Sequence, residues 1–171
     1  MKRAQPVASR PVVSSALCAV GFLSIGPLPA CQAMQDAEAI VVAAHTARCA
    51  DTGASAPAAD PFLSAADWQS HLGSVDPALR AALSGWQVDP AAGKSVALVR
   101  AGPQPNPGYR ILVEQKSLPV QAGTLRLKAV VQTPPGQRMQ AQVIAYPCIY
   151  LQLEGASYRR VTLEVERRKP G

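Results

Sequence analysis

From Trp86 onward, apolar and polar residues alternate with a period of two. TLRLKAVVQ (124–132) sets Leu125, Leu127, Ala129 and Val131 against Arg126 and Lys128, and VTLEVE (161–166) sets Val161, Leu163 and Val165 against Thr162, Glu164 and Glu166. The runs SVALVR (95–100), YRILVEQ (109–115), MQAQVIA (139–145) and IYLQL (149–153) fit the same template. Successive side chains of a β-strand point to opposite faces, so this period predicts strands with one buried and one wet face. Turn-forming residues separate the runs at 122–124, 133–137, 146–147 and 154–157. Links this short leave no room for helical crossovers, and the sheet is expected to be mainly antiparallel.

Before Trp86 the pattern differs. DAEAIVVAAHTARCA (36–50) is alanine-rich and lacks glycine and proline, which predicts a helix, and DTGASAPAADP (51–61) reads as a linker. A second helix is expected to start at Ser64, with Asp67 completing a capping box and Leu63 and Trp68 at the positions of a hydrophobic staple. Leu72 extends its apolar face, and Trp68 is expected to be a core contact. Asp76–Pro77 opens a third short helix through Leu83, aspartate capping and proline at the first position. The expected fold is mainly β: an antiparallel sheet or small β-sandwich of about five to seven strands, with short N-terminal helices packed against it. The domain is placed at 62–168, after an alanine-rich helical segment and linker at 31–61 and before a short tail at 169–171.

The first thirty residues fall outside that fold. Lys2, Arg3 and Arg10 precede the apolar, charge-free PVVSSALCAVGFLSIGPLPA (11–30), the pattern of an export signal. Pro27 and Pro29, with no basic residues following, disfavour a retained membrane helix. The signal ends in LPAC (28–31), which resembles the lipobox of bacterial lipoproteins and makes Cys31 a lipidation candidate. Gln32 is then compatible with outer-membrane retention; ordinary cleavage near Ala30 or Ala33 would instead release a periplasmic protein. Without residues 1–30 the chain loses three of its 17 basic and none of its 11 acidic residues, so the formal charge falls from +6 to +3. So small an excess on an exported protein gives no case for nucleic acid, and the basic ERRKPG (166–171) reads as a solvated tail.

Candidate chemistry is sparse. Cys18 leaves with the signal and Cys31 is open to lipidation, so Cys49 and Cys148 are the expected disulfide in an oxidising compartment; the alternative, Cys31 with Cys49, would leave Cys148 free. His45 and His71 have no cysteine or carboxylate at a metal-ligand spacing, although His45 and Cys49 would share a face of the expected helix. The nucleophile-elbow, zincin, phosphate-loop and dinucleotide motifs do not occur. No catalytic residue, cofactor or metal is therefore expected. AGPQPNPGYRI (101–111) is the stretch with the most distinctive composition. Pro103, Pro105 and Pro107 stiffen it, and Gly108 supplies a positive φ or a close backbone approach. Pro105, Asn106, Pro107, Gly108 and Tyr109 form the candidate interaction loop, with Tyr109 as anchor because it shares strand parity with Ile111 and Val113. A rigid turn accounts for the same residues, with Asn106 bonded to its own backbone.

The stretch from Ser95 to Leu153 resembles the C-terminal domain of the PrcB proteins, described as protease complex subunits. The resemblance lies in VRAG (99–102), the Pro/Gly loop into GYRI (108–111), the proline turn at 133–136 and AQVIAYPCIYLQL (141–153). In that family the loop commonly reads Thr-Gly-Gly-Tyr; here Asn106–Pro107 replaces the first two residues. The resemblance implies an exported or lipid-anchored accessory subunit of a secreted protease, without catalytic residues. The same NPGY also resembles the loop of chagasin-type inhibitors of cysteine proteases, without their threonines, which would put Asn106, Gly108 and Tyr109 in a partner's cleft. A structural envelope protein with no protease partner is the third expectation. The partners expected are an exported protease or envelope protein, and membrane only through a lipid anchor or uncleaved signal.

Overall fold

The computed structural model describes residues 37–50, 55–135 and 142–169. The export signal, the lipobox with Cys31, and part of the MQAQVIA run lie outside them. Among the described residues eight strands form one sheet, and two short α-helices pack on it. No helix among the described residues is long and apolar enough to cross a membrane.

The largest departure from expectation is β1 (Ala37–Arg48), a strand where alanine content predicts a helix. Alanine's helical preference is worth only some tenths of a kcal/mol per residue over Ile, Val or Thr, and helices this short are marginal without packing. Against that stand the β-branched Ile40, Val41, Val42 and Thr46 and a ladder on β7 (Pro147–Gly155) from Ala39 to Arg48, interrupted by a bulge between Val41 and Ala43. Tertiary pairing overrides local propensity. β2 (Ala58–Phe62) likewise occupies the expected linker, pairing antiparallel with β3 (Lys94–Arg100). Its Pro61 is tolerated because β2 is an edge strand.

The helical layer is close to expectation. In α1 (Ala65–Ser74) the Ser64 hydroxyl oxygen accepts from the Asp67 N–H at 3.1 Å. That hydroxyl also donates to the Asp67 carboxylate at 2.6 Å, so the carboxylate takes the side chain and not the Ser64 N–H of a full capping box. Phe62, not Leu63, meets Trp68, with ring centroids 5.1 Å apart; Leu63 packs into the sheet interior instead. Asp76 caps α2 (Pro77–Leu83), accepting from the Leu79 N–H at 2.9 Å. Arg80 folds α2 back on α1, donating to the Leu72 and Gly73 carbonyls at 2.8 and 3.0 Å, acceptors the end of α1 leaves unpaired.

The sheet runs β2-β3-β7-β1-β5-β6, where β5 is Ser117–Gln121 and β6 is Thr124–Gln132. β8 (Arg160–Arg168) pairs along the whole of β6, so β5 and β4 (Arg110–Leu112) share the opposite edge of β6, at its two ends. The β6–β8 pairing is parallel, so the sheet, antiparallel as expected in its other strand pairings, is mixed. The short link after β7 is not a hairpin. It carries the chain across to β6, where the Arg159 and Arg160 N–H groups donate to the Gly123 carbonyl, and it is anchored by buried Tyr158, whose hydroxyl bonds Ser95 at 3.0 Å. β8 thereby comes beside β2, and the sheet nearly closes into a mixed barrel instead of a sandwich. Where this link begins, Gly155 has φ +118°, and a Cβ there would sit 2.6 Å from the Glu38 carbonyl oxygen, so only glycine fits.

Two cores result. Leu118, Leu125, Leu127, Ile149, Leu151 and Leu153 fill the interior of the sheet, while Trp68, Leu72, Leu79, Leu83, Leu98 and Tyr150 join the helices to its outer face. β3 and β7 are therefore buried on both faces, which their near-continuous apolar runs reflect and the one-wet-face expectation missed. MQAQVIA does not extend the sheet within 142–145: Ala145 makes an isolated bridge to Gln104.

Candidate binding site

The 101–109 loop is pinned from within. Gln104 is 4% exposed. Its backbone exchanges hydrogen bonds with Ala145 at 2.8 and 2.9 Å, and its amide Nε2 donates to the Ala101 carbonyl at 3.1 Å. Gly102 lies in the left-handed region, at φ +72°, and an added Cβ there would meet the Ala56 backbone at 3.1 Å. The Asn106 Oδ1 accepts from the Gly108 N–H at 3.0 Å, the local turn-holding role. Asn106→Ala is thus expected to lower stability by about 1 kcal/mol, the usual net worth of one such bond. A thermal melt checks it, and an unchanged midpoint would remove the turn role.

Pro107, Gly108 and Tyr109 lead into β4 and form the lip of a slot of about 450 Å³. Thr46, Ala47 and Arg48 of β1 make one wall, Arg110 to Leu112 of β4 the other, and Pro147 and Cys148 the floor. Tyr109 is half-buried against the interior core. The slot exists because β1 leaves β5 early: their ladder covers Ala37 to Ile40, extended by one bond from the Val41 N–H to the Lys116 carbonyl at 2.9 Å. Beyond it β1 continues on β7 alone, while β4 pairs with β6 alone and also lies against β7. Cys49 and Cys148 are joined by a disulfide with their Cα atoms 5.8 Å apart, fixing the end of β1 at the slot floor.

A second cleft lies under α1, where the His71 Nε2 and Tyr150 hydroxyl are 3.0 Å apart and Arg100 pairs with Asp60. Burial first, then Arg100, holds the His71 imidazole below its ordinary value, while Asp60 opposes them. Burial likewise pushes the Tyr150 hydroxyl up to about 12. The unfolded imidazole titrates near its usual 6.5, so below that pH the unfolded chain binds a proton that the folded chain refuses, and stability falls with pH. Melting midpoints are expected to be level above about pH 7 and to decline from about 6.5 downward until folded His71 itself protonates. His71→Gln should lose this component, and an equal decline in the variant would assign it elsewhere.

His45 lies opposite Tyr150 in the β1–β7 ladder and not on a helix face with Cys49, whose sulfur is in the disulfide. Among the described residues no three His, Cys, Asp or Glu side chains converge as a metal site. The loop residues 105–109 were visible in the sequence from their prolines and glycine. Thr46 and Arg48 were not, because their place depends on the β1 register; the β-branched cluster at 40–42 was the available signal.

The fold and slot define a mainly β domain, nearly closed as a barrel and open between β1 and β4. Residues 95–154 match the family described as PrcB C-terminal. The matched segment runs from β3 to β7 and contains the loop and the β4 wall, whereas β1, the helices and β8 lie outside it. No curated protein and no solved structure matches the chain.

Proposed function

We propose that the chain is a non-enzymatic accessory protein of the cell envelope that binds an exported protease or another envelope protein through the 105–109 loop and the slot that its Pro107, Gly108 and Tyr109 border. The observation that carries this is the pairing of a rigid, internally bonded loop with an open gap in the sheet. A pre-ordered rim loses little entropy on binding, and rigid scaffolds with exposed loops are where recognition concentrates. The PrcB match supports an accessory role. The Asn106 side chain is turned onto its own loop, which counts against a chagasin-like insertion into a partner's cleft. Envelope residence rests on the signal and LPAC, with lipid on Cys31 as the tether and mass spectrometry of the mature N-terminus as its test.

The docking test is site-specific photo-crosslinking in the native envelope. A crosslinker at Pro107 should give a discrete product with an exported protein, and one at the exposed Ser84, at the end of α2, should not. Identical products from both positions, or none from Pro107, would overturn the assignment.

A further inference from the structure

The slot is not only a depression; its walls are two strand edges with unused backbone groups. The Cys49 N–H donates to the Tyr146 carbonyl at 2.9 Å, toward the β7 side. Backbone polar groups alternate direction along a strand, so those of Thr46 and Arg48 point to the other edge, into the slot. Proline at 147, opposite Arg48, agrees: a residue without N–H sits at a position that makes no bond to β1. On the other wall, the Thr133 N–H donates to the Arg168 carbonyl on the β8 side, and the Lys128 N–H donates to the Gln115 side chain on the opposite side. Gln132 and Val130 therefore bond β4 through Arg110 and Leu112, which leaves the N–H and C=O of Ile111 facing the slot. No backbone partner for Thr46, Arg48 or Ile111 on the slot side occurs among the described residues.

Charge selects the occupant. Arg48 and Arg110 stand exposed on opposite walls, and among the described residues neither makes an ion pair and no carboxylate lines the slot. Resting on the docking reading above, we infer that the slot accepts an extended acidic segment of a protein partner, added as a strand between β1 and β4. Antiparallel steps from β1 through β5 and β6 to β4 make β4 antiparallel to β1. The guest strand is then antiparallel to one wall and parallel to the other. Its apolar alternate residues face the interior beside Ile111 and Tyr109, its carboxylates the arginines. Main-chain bonds give the affinity and the alternate side chains the selectivity.

The test uses the full chain expressed for export and two short fluorescein-labelled peptides, one alternating glutamate with valine and one lysine with valine. The glutamate peptide should bind, protect the Thr46, Arg48 and Ile111 amides from hydrogen exchange, and bind at least about tenfold more tightly than the lysine peptide. Thr46→Pro removes a slot-side N–H without taking one from the β7 ladder, and the double change Arg48→Glu, Arg110→Glu reverses the charge. Each should weaken binding by about tenfold or more while hydrogen exchange elsewhere in β7 shows the sheet intact. If the peptide fails to bind, or prefers lysine, the strand addition is wrong. If it perturbs only residues 105–109 and leaves those three amides exchanging freely, strand addition fails while docking at the rim stands.

Discussion

Removing the disulfide by the paired change Cys49→Ala, Cys148→Ala is expected to destabilise the domain by about 3–4 kcal/mol, the upper part of the usual range for a native bridge. The two cysteines are 99 residues apart in sequence, so the bond closes a loop containing most of the domain. In the folded state it adds little geometry, because β1 and β7 are already paired from Ala39 to Arg48. Its effect falls on the unfolded chain, whose conformational freedom a closure of this length restricts strongly. Alanine at the fully buried Cys148 adds no polar atom, so the double variant isolates the cross-link better than serine would. For a domain of this size the loss corresponds to a melting midpoint lower by roughly 10–15 °C. Circular dichroism melts of wild type and variant, with wild type also melted after reduction, measure it. A difference under about 1 kcal/mol would mean that the unfolded chain is already restricted at this point without the bond.

How much of this molecule could be read from its residues depends on which physical signal each element uses. β6 was legible because its alternation is strict and its turns are Gly- and Pro-marked: the expected 124–132 run is the strand found. The caps at Ser64 and Asp76 were legible because a side-chain oxygen bonding an N–H three residues on is a local event. β1 was not, since its state is decided by β7, more than a hundred residues away in the chain at the Ala39–Gly155 pair. Periodicity also says which face a residue takes and not which strand lies alongside, so the parallel β6–β8 pairing and the near closure of the sheet were invisible. The slot inherits both limits. Its rim carries a compositional signature, but its walls exist only because two strands with no sequence relation stop short of each other.

The same dependence on long-range contacts makes Trp68→Ala the most damaging expected single change, about 3–5 kcal/mol by the cost of truncating buried aromatics. Trp68 is 1% exposed at the centre of the helix–sheet layer. Its ring lies 5.1, 5.9 and 6.3 Å, centroid to centroid, from Phe62, His71 and Tyr150, so one side chain contacts β2, α1 and β7 together. Its indole N–H donates to the Trp86 carbonyl at 3.1 Å, which holds the chain where it leaves α2. Alanine removes the packing, opens a cavity in a dense core and leaves that part-buried carbonyl without its donor. Trp68→Phe keeps most of the packing and loses the hydrogen bond, so it should cost about 1–2 kcal/mol. Urea denaturation followed by circular dichroism separates the two variants. Equal small losses, under about 1 kcal/mol each, would show that the helices can repack without this residue, and would move the anchor of the layer to Leu72 and Leu83.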